Sequence, residues 1–476
     1  MMMMLKHVDA GEFSRLKTRQ LERDQYFTIR GLDMKRLLIT LIAGFLLLQP
    51  ACKNASSKND EAKELLGFGI VYLNSIWQKI TVADVPSFSF TNKDGDPMTP
   101  SCACPPEYEA STQKTTKYNP EFAFFYKPGK SKNLLIFFMG GGACWDITNC
   151  AYNHTYSGDL IESNLLLGLA STGGLEGSGL SGIMDVTDPN NPFKDWSMVW
   201  VPYCTADLGT GQKDHTYPED YGTAYPGGVT IRHRGRVNLE LVLQWLQANI
   251  TTAPDKLFVT GSSAGSYATY LSYPLIRNVF NSSSTKAYVL GDAGEGFAGE
   301  YDPDGDGPTA PTPFIQLVSP FWGLELPPIT AFSGKTPLDY TEYKELVQAI
   351  VDNYPDDKFA QYTTKWDKTQ IWFYDIQKDN NIHHPDQWGA EEDAAADPTS
   401  AIAIEWNAGM MDAIDITGAN YWYYIGPGTH HTIDLTPAFY TETSNGTYFY
   451  DWVTAFVNDD AMSKISCSGA ECDVQN

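Results

Sequence analysis

The chain lacks several features that mark whole classes of protein. It has no apolar run long enough to cross a bilayer as a mature helix, which excludes a polytopic membrane protein. It has no repeat with a period of about 20–50 residues and no Pro/Gly/Ser-rich linker after residue 70, which excludes a solenoid or a string of domains. Basic residues are scarce, with 33 Lys and Arg against 58 Asp and Glu. A net charge of −25 repels polyanions, so no nucleic-acid partner is expected.

The remaining composition favours a large globular core. Aromatic residues make up 13% of the chain, with 27 Tyr and 12 Trp, which excludes a disordered protein. We expect a single catalytic domain over residues 71–476. Regular secondary-structure signals are sparse in three stretches, which we interpret as active-site loops or a cap inserted into that domain: 171–194, 294–357 and 380–412.

The N-terminal region contains an export signal. Met34-Lys35-Arg36 precedes a run of apolar or small residues, 37–48, and Ala51-Cys52 follows that run. Residues 34–52 are therefore predicted to be a signal peptide. Residues 1–33 are then a non-native or extended N-terminus, and 53–70 form a polar linker. Cys52 is a candidate for lipidation, so the protein is expected either as a surface lipoprotein or in a periplasmic or secreted form. Membrane contact is expected only through that anchor.

The other cysteines predict disulfides, because an exported chain meets an oxidising environment. The chain has 8 cysteines, so seven remain besides Cys52, and an odd number leaves one thiol free. A zinc site is disfavoured, since Cys102-Ala103-Cys104 lacks the two-residue gap of such sites. The spacings favour these pairs: Cys144 with Cys150, Cys467 with Cys472, and Cys204 with either Cys102 or Cys104.

Short apolar runs alternate with helical patterns, which predicts an α/β fold with a mostly parallel central sheet flanked by helices. Val237, Leu241, Val242, Trp245 and Leu246 have the spacing of an amphipathic helix that ends near residue 249. The predicted buried parallel strands are Phe122–Tyr126, Leu134–Met139, Met198–Val201, Leu257–Thr260, Ala287–Leu290, Phe359–Thr363 and Tyr421–Ile425.

The sharpest local motif is Gly261-Ser262-Ser263-Ala264-Gly265. It follows a predicted strand and precedes the helical pattern Tyr267–Ser272, which Pro274 is expected to end. Strand, G-x-S-x-G and helix together are typical of a nucleophile elbow, which exposes the serine hydroxyl on a tight turn. A chance match is the alternative, and the strand and helix on either side argue against it. We therefore predict that Ser263 is a nucleophile.

An activated serine needs donors for the oxyanion that forms when it attacks an ester carbonyl. Gly140-Gly141-Gly142-Ala143 follows an earlier predicted strand, where this class of enzyme places a glycine-rich oxyanion loop. The backbone N–H groups of Gly141 and Gly142 are predicted to form the oxyanion hole with that of Ala264.

The serine also needs a base and an acid. His430 and His431 lie late in the chain, directly after a predicted strand, and we favour His431 as the base. The preferred acid is Asp367, which follows the predicted strand Phe359–Thr363. The alternatives are Asp292, Asp375 and Asp379.

These motifs, in this order, resemble the pectin acetylesterase family, which includes the Notum deacylases. The resemblance implies an α/β-hydrolase fold and hydrolysis of carboxylic esters. It also implies that Ser263 is the nucleophile, His431 the base and Asp367 the acid, and that a Cys144–Cys150 disulfide braces the oxyanion loop. The matching motifs are Gly140-Gly141-Gly142-Ala143-Cys144-Trp145, Cys150, Pro202-Tyr203-Cys204, Arg234-Gly235, Gly261 to Gly265, Asp367-x-x-Gln370 and Gly428-x-x-His431-Thr432.

The chain departs from the family pattern at Met139, where an acidic residue is common, and at Ser266, where glycine is usual. Family members remove either acetyl groups from pectin or long acyl groups from a protein. We expect a serine esterase without a cofactor that removes acetyl groups from a polysaccharide. The alternatives are a catalytically silent surface lipoprotein that binds glycan or acyl chains, and a lipase or polyester depolymerase.

Other polar clusters are interpreted as structural. Asp302, Asp304 and Asp306 have the spacing of a calcium loop, but Pro313 stands at the twelfth position, so an acidic surface turn is preferred and no metal is expected. The segment Arg232 to Arg236 is expected to flank the following helix, and His383-His384-x-Asp386 to be a loop rather than a metal site.

Overall fold

The computed structural model describes residues 77–109, 114–152, 154–158, 181–218, 224–296, 300–301, 312–378 and 397–472. Cys52 and the predicted segments before residue 71 lie outside these residues, as do Asp302, Asp304, Asp306 and the pair His383-His384. The central sheet consists of β1 (Gln78–Thr81), β2 (Ala123–Lys127), β3 (Leu134–Phe138), β4 (Ser197–Val201), β5 (Lys256–Ser262), β6 (Lys286–Asp292), β7 (Lys358–Thr364), β8 (Tyr421–Gly426) and β9 (Ile465–Ser466).

The strands lie in the order β1-β2-β4-β3-β5-β6-β7-β8-β9, and all neighbouring pairs from β4 to β9 are parallel. The α/β prediction with a mostly parallel sheet is therefore confirmed. The predicted direction of one strand is wrong, because β2 pairs antiparallel with both β1 and β4. Residues 128–133 are too short for the crossover of about a dozen residues or more that joins parallel strands.

Helices cover both faces of the sheet, because its strands alternate apolar side chains between two cores. Leu257 and Val259 face one core and Phe258 faces the other. The helices are α1 (Gly235–Asn249), α2 (Ala264–Val279), α3 (Phe314–Trp322), α4 (Tyr343–Asn353), α5 (Lys368–Lys378), α6 (Ala401–Ala413) and α7 (Phe449–Asn458). Helix α1 ends where its apolar spacing predicts.

Shorter elements connect these. Two-stranded ribbons pair Pro106–Glu109 with Lys114–Lys117, Lys213–Tyr217 with Val229–His233, Glu300–Tyr301 with Thr312–Pro313, and Thr443–Ser444 with Thr447–Tyr448. Short helical turns occupy Val82–Asp84, Thr148–Tyr152, Gly182–Met184, Thr330–Phe332, Pro337–Asp339, Ala438–Thr441 and Gly469–Glu471.

Helix α2 continues through Pro274, so the prediction that this proline ends the helix is wrong. A proline inside a helix costs about 3 kcal/mol. Packing outweighs that cost here, because Tyr270 and Tyr273 are fully buried and their hydroxyls donate to the Ala360 carbonyl and the Asp357 carboxylate. Tertiary contacts thus override the local signal.

The interpretation of 294–357 and 380–412 as poor in regular structure is also wrong in part. Helices α3 and α4 lie in the first stretch, and α6 lies in the second. Helix α4 buries Leu346, Val347, Ile350 and Val351, whose spacing is that of a helix.

Three disulfides link Cys102 with Cys204, Cys144 with Cys150, and Cys467 with Cys472. The predicted pairing is therefore confirmed. The structure also resolves the open choice, because Cys104 is the thiol without a disulfide among the described cysteines. Within the described ranges, none of the helices is both long and apolar enough to cross a membrane.

Candidate active site

The predicted catalytic side chains follow neighbouring parallel strands. Ser263 follows β5, Asp367 follows β7, and His431 follows β8. Because these strands are parallel, their carboxyl ends meet at one edge of the sheet, which is where open α/β sheets bind ligands. The glycine loop after β3 reaches the same edge, since β3 pairs directly with β5.

Ser263 occupies the tight turn between β5 and α2. Its backbone has φ 58° and ψ −123°, a left-handed conformation that L-residues other than glycine rarely adopt. Its N–H donates to the Asp292 carbonyl at 2.7 Å, which holds the turn against the end of β6. The geometry is that of the predicted nucleophile elbow, because a strand enters the serine and a helix leaves it directly.

The small residues of the motif are required by packing against β3. A Cβ on Gly261 would lie 2.6 Å from the Phe138 carbonyl oxygen, and a Cβ on Gly265 would lie 2.1 Å from it. Both distances are shorter than any ordinary contact. Glycine at these positions therefore lets the elbow approach the strand that leads into the glycine loop.

The glycine loop lies directly beside the elbow. A Cβ on Gly140 would lie 2.7 Å from Cβ of Ser263, and Gly142 has φ +69° with Thr155 O only 1.9 Å from the place of a Cβ. Ala143 N–H donates to Thr155 O, so the loop is held in a ribbon-like contact. Among the described residues, the N–H groups of Gly142 and Ala264 have no protein acceptor.

The Cys144–Cys150 disulfide closes a small loop behind these glycines. The N–H of Cys144 donates to Ala206 O at 3.0 Å, and Trp322 Nε1 donates to Cys144 O at 2.9 Å. These two bonds hold the backbone of Cys144, which follows the glycine loop, in place.

His431 and Asp367 form a direct pair. Nδ1 of His431 lies 2.9 Å from both Oδ1 and Oδ2 of Asp367, whose side chain is fully buried. Gln370 donates to the same carboxylate, through its backbone N–H at 2.9 Å and through Nε2 at 3.0 Å. The carboxylate is thereby oriented toward the imidazole, and the backbone of Lys368 is tied to the histidine loop by its bond to Thr429 O.

His430 points to a different set of partners. Its Nε2 lies 2.8 Å from the Tyr362 hydroxyl and 2.9 Å from a carboxylate oxygen of Glu442. Burial lowers the pKa of His430, but the hydrogen bond and the negative charge of Glu442 outweigh burial and raise it above the ordinary value. Asp367 is therefore the acidic partner of His431, and Glu442 is that of His430.

Asp292, the first alternative acid, binds the Ser262 hydroxyl and two backbone N–H groups rather than Nδ1 of His431. Its carboxylate accepts hydrogen bonds from Ser262 Oγ, Ile433 N–H and Asp434 N–H. Of the two weaker alternatives, Asp375 lies within α5, and Asp379 lies outside the described residues.

A cavity of about 60 Å³ lies over the elbow. Four of the predicted site residues line it together: Ser263, Ala264, Gly142 and His431. Asp367 stands behind His431, and Gly141 does not line the cavity. The sequence did not predict the rest of the lining, which is Ala143, Trp145, Leu208, Tyr267, Ala293, Phe314, Gln370, Phe373, Tyr374 and Gln377.

Some of these residues had a usable signal. Phe314 begins the apolar run Phe314–Trp322, and Phe373 lies in the helix that starts next to Asp367. Leu208 had none, since a residue with φ 54° in a connecting segment is positioned only by the folded chain.

The basic segment flanks helix α1, as predicted. Arg234 forms two bonds to the Asp214 carboxylate at 2.7 and 2.6 Å, and Arg236 pairs with Glu240 at 2.9 Å within α1. Burial lowers the pKa of His233 to about 3, so it is neutral. Across the described ranges, the structure contains no cluster of three or more side chains suited to hold a metal ion.

Comparison with known proteins was consistent with this geometry. Residues 120–309, which include the glycine loop and the elbow, match the family model described as Pectinacetylesterase. The chain is similar to this family over that segment. The match ends before Asp367 and His431, so the family model does not itself cover them.

Curated proteins similar to this chain include two palmitoleoyl-protein carboxylesterases. Notum1' of Xenopus laevis is 27% identical over 158 residues, which cover 33% of this chain and 29% of the relative. Notum1a of Danio rerio is 28% identical over 143 residues, which cover 30% of this chain and 25% of the relative. The chain thus matches less than a third of the length of either. The crystal structure of the Wnt deacylase Notum from Drosophila is 15% identical, with a TM-score of 0.48, and covers 79% of this chain and 100% of that one.

Proposed function

We propose that this protein is a serine carboxylesterase that removes acyl groups through an acyl-enzyme. One observation carries the proposal: Ser263, His431 and two oxyanion-hole candidates, Gly142 and Ala264, line one cavity, and Asp367 binds the imidazole nitrogen of His431. The match of residues 120–309 to the Pectinacetylesterase family model supports the same reaction.

In the first half-reaction, the Ser263 hydroxyl attacks the ester carbonyl, and His431 Nε2 accepts its proton. Asp367 orients the ring through Nδ1 and stabilises the imidazolium that forms. The carbonyl oxygen becomes an oxyanion, to which the N–H groups of Gly142 and Ala264 donate. Collapse of the tetrahedral intermediate releases the alcohol, which takes the proton from His431.

In the second half-reaction, a water molecule attacks the acyl-enzyme while His431 accepts its proton. The second tetrahedral intermediate collapses, the acid product leaves, and Ser263 regains its proton from His431. Besides the ester and this one water molecule, neither half-reaction requires a further reactant to balance.

The cavity favours a short acyl group. Its volume of about 60 Å³ is under half of that of an apolar cavity of roughly 150 Å³ that binds benzene. Trp145, Phe314 and Phe373 form much of its wall. An acetyl group fits this space, which is small for a sixteen-carbon chain. We therefore propose an acetyl ester as substrate, and the family description favours an acetylated polysaccharide.

The test is labelling with a fluorophosphonate probe together with hydrolysis of 4-nitrophenyl acetate. We expect the probe to label Ser263, and Ser263→Ala to lower kcat by roughly 10⁴–10⁶-fold. Ser272→Ala, a buried serine further along the same helix, is the matched control and should keep activity. An unlabelled but folded protein would instead favour the alternative of a binding-only lipoprotein.

Substrate class needs a second experiment. Esters of acetate, butyrate, octanoate and palmitate should show kcat/KM falling beyond butyrate, and acetate release from acetylated pectin and acetylated xylan should identify the polymer. A preference for octanoate or palmitate would reject the acetyl assignment and favour a lipase or polyester depolymerase.

We also propose that the mature protein is exported, anchored through a lipid on Cys52 or free. Three disulfides support an oxidising compartment. Mass spectrometry of the N-terminal peptide from the natural host would test lipidation, because an unmodified Cys52 or a different cleavage site would exclude the anchor.

A further inference from the structure

Asp292 lies at the carboxyl end of β6, next to the elbow, and its side chain is fully buried. Its Oδ2 accepts from Ser262 Oγ at 2.5 Å and from Asp434 N–H at 3.0 Å, and its Oδ1 accepts from Ile433 N–H at 3.0 Å. One carboxylate thus binds two chain segments that are far apart in sequence.

Those two segments carry the nucleophile and the base. Ser262 immediately precedes Ser263, and Ile433 follows His431 by two residues, across Thr432, whose φ is +67°. Asp292 also accepts the Ser263 N–H through its backbone carbonyl at 2.7 Å. The separation between the serine hydroxyl and the imidazole therefore depends on contacts made by this one residue.

We propose that Asp292 is a positioning residue for the esterase reaction, and that its ionised carboxylate holds the histidine loop against the nucleophile elbow. The proposal rests on the proposed function of the site. Asp292 touches no reacting atom in it, because it acts through the backbone on either side of Ser263 and His431.

The neighbouring carboxyl group of Asp434 is the one placed to hold a proton, which leaves the negative charge on Asp292. Thr260 Oγ1 lies 2.8 Å from Leu290 O and 2.7 Å from Asp434 Oδ2, yet a hydroxyl has only one hydrogen to donate. If Thr260 donates to the carbonyl, Asp434 must carry the proton that joins it to Thr260. Its other oxygen, Oδ1, has no partner among the described residues, as expected of a neutral acid.

The electrostatics agree with that assignment. Burial, followed by the charge of Asp292, raises the pKa of Asp434 well above its ordinary value. Burial also raises the pKa of Asp292, but the bonds from Ser262, Asp434 N–H and Ile433 N–H limit the rise to about 6. These shifts favour the proton on Asp434 and the negative charge on Asp292.

Asp292→Asn tests the proposal without changing the shape of the side chain. An amide has one acceptor oxygen, so its NH₂ group must face either Ile433 N–H or Asp434 N–H, and donor then opposes donor. We expect kcat for 4-nitrophenyl acetate and the rate of fluorophosphonate labelling to fall about 10–100-fold, with KM within about twofold, because a misplaced catalytic group lowers the rate by up to about 10²-fold.

Two matched variants separate positioning from general stability. Asp434→Asn replaces a neutral acid by a neutral amide that can still donate to Thr260, and it should remain within about twofold of wild-type kcat. Asp357→Asn removes a different buried carboxylate, at the other end of the sheet, which binds Tyr273 and Arg277. It should lower Tm and leave kcat unchanged.

Wild-type kcat in Asp292→Asn, with only a lower Tm, would overturn the proposal, as would equal losses in Asp292→Asn and Asp434→Asn. If Asp292→Asn does not fold, Ser262→Ala takes its place, since it removes the elbow side of the contact and should lower kcat with KM unchanged. A fully active Ser263→Ala would defeat the proposed function itself, which is a separate result.

Discussion

Nδ1 of His431 lies at the same distance, 2.9 Å, from both carboxylate oxygens of Asp367. A carboxylate in this position accepts the Nδ1 hydrogen and leaves Nε2 to act as the base. Gln370 holds the carboxylate in place by two further bonds. The pair therefore sets both the tautomer and the orientation of the ring.

Replacing Asp367 by Asn should retain the fold and remove most of the activity. An asparagine that presents its NH₂ group to Nδ1 stabilises the wrong tautomer, so we expect kcat for 4-nitrophenyl acetate to fall by roughly 10³–10⁴-fold. Steady-state kinetics measures this directly. The control is Asp375→Asn, in the following helix, which should be close to wild type. If Asp375→Asn were the inactive variant instead, Asp367 would not be the acid.

Replacing His430 by Gln should leave ester hydrolysis intact but change how stability depends on pH. The folded-state pKa of His430 is raised, so the stabilisation from its pair with Glu442 is fully present below about 6.5 and is lost as pH rises through the raised value. Because a hydrogen bond to a charged group contributes about 1.5–3 kcal/mol, the unfolding free energy of wild type should exceed that of the variant by up to this amount at pH below about 6.5.

Urea denaturation of both proteins between about pH 6 and pH 9 checks this prediction. The difference between them should shrink toward alkaline pH. A difference that grows with pH would mean that His430 is not paired as a cation in the folded state.

Replacing Gly142 by Ala should damage the oxyanion loop, and Gly334→Ala gives a matched comparison. Both glycines have left-handed backbones, with φ of +69° and +73°, so each alanine costs roughly 1 kcal/mol of strain. Only at Gly142 would the new Cβ also meet a backbone atom, Thr155 O, whereas nothing lies within 4 Å at Gly334.

We therefore expect Gly142→Ala to lower kcat at least about 10-fold and to be the less stable of the two variants, because its backbone must shift. Gly334→Ala should keep wild-type kcat. Kinetics and urea denaturation of both variants provide the measurement, and equal behaviour of the pair would show that the loop conformation around Gly142 does not matter to catalysis.

Much of the sheet could be predicted from the sequence, because strands buried on both faces appear as short apolar runs. The predicted strand Leu257–Thr260 lies within β5, and Tyr421–Ile425 within β8. Strand direction is not encoded in such a run. The short connection between β2 and β3 explains why β2 is antiparallel. An apolar pattern carries no information about the length of that connection.

The tight turn at Ser263 and the glycine loop beside it could be predicted because each depends on contiguous residues. The choice between His430 and His431 could not be settled that way, since adjacent residues share every sequence context. The folded structure distinguishes them by their acidic partners, since His430 pairs with Glu442 and His431 with Asp367. Likewise, only the folded structure distinguishes Cys102 from Cys104 as the partner of Cys204.

The contacts of Asp292 illustrate the same limit. Its position after β6 made it an alternative acid, whereas its hydrogen bonds connect Ser262 with Ile433 and Asp434. Hydrogen bonds from backbone N–H groups cannot be predicted from residue types, because every residue except proline carries such a group. The cavity wall was missed for a related reason, because Trp145, Leu208, Phe314 and Phe373 come from four separate segments.

Phe314 begins helix α3, which lies in the stretch between β6 and β7 and forms no part of the central sheet. This wall of the acyl site can therefore change in size by substitution or by repacking of one inserted helix, while the strands that present Ser263, Asp367 and His431 stay as they are. For the proposed esterase, acyl-chain preference can therefore change during evolution without any change in the three residues proposed to carry out hydrolysis.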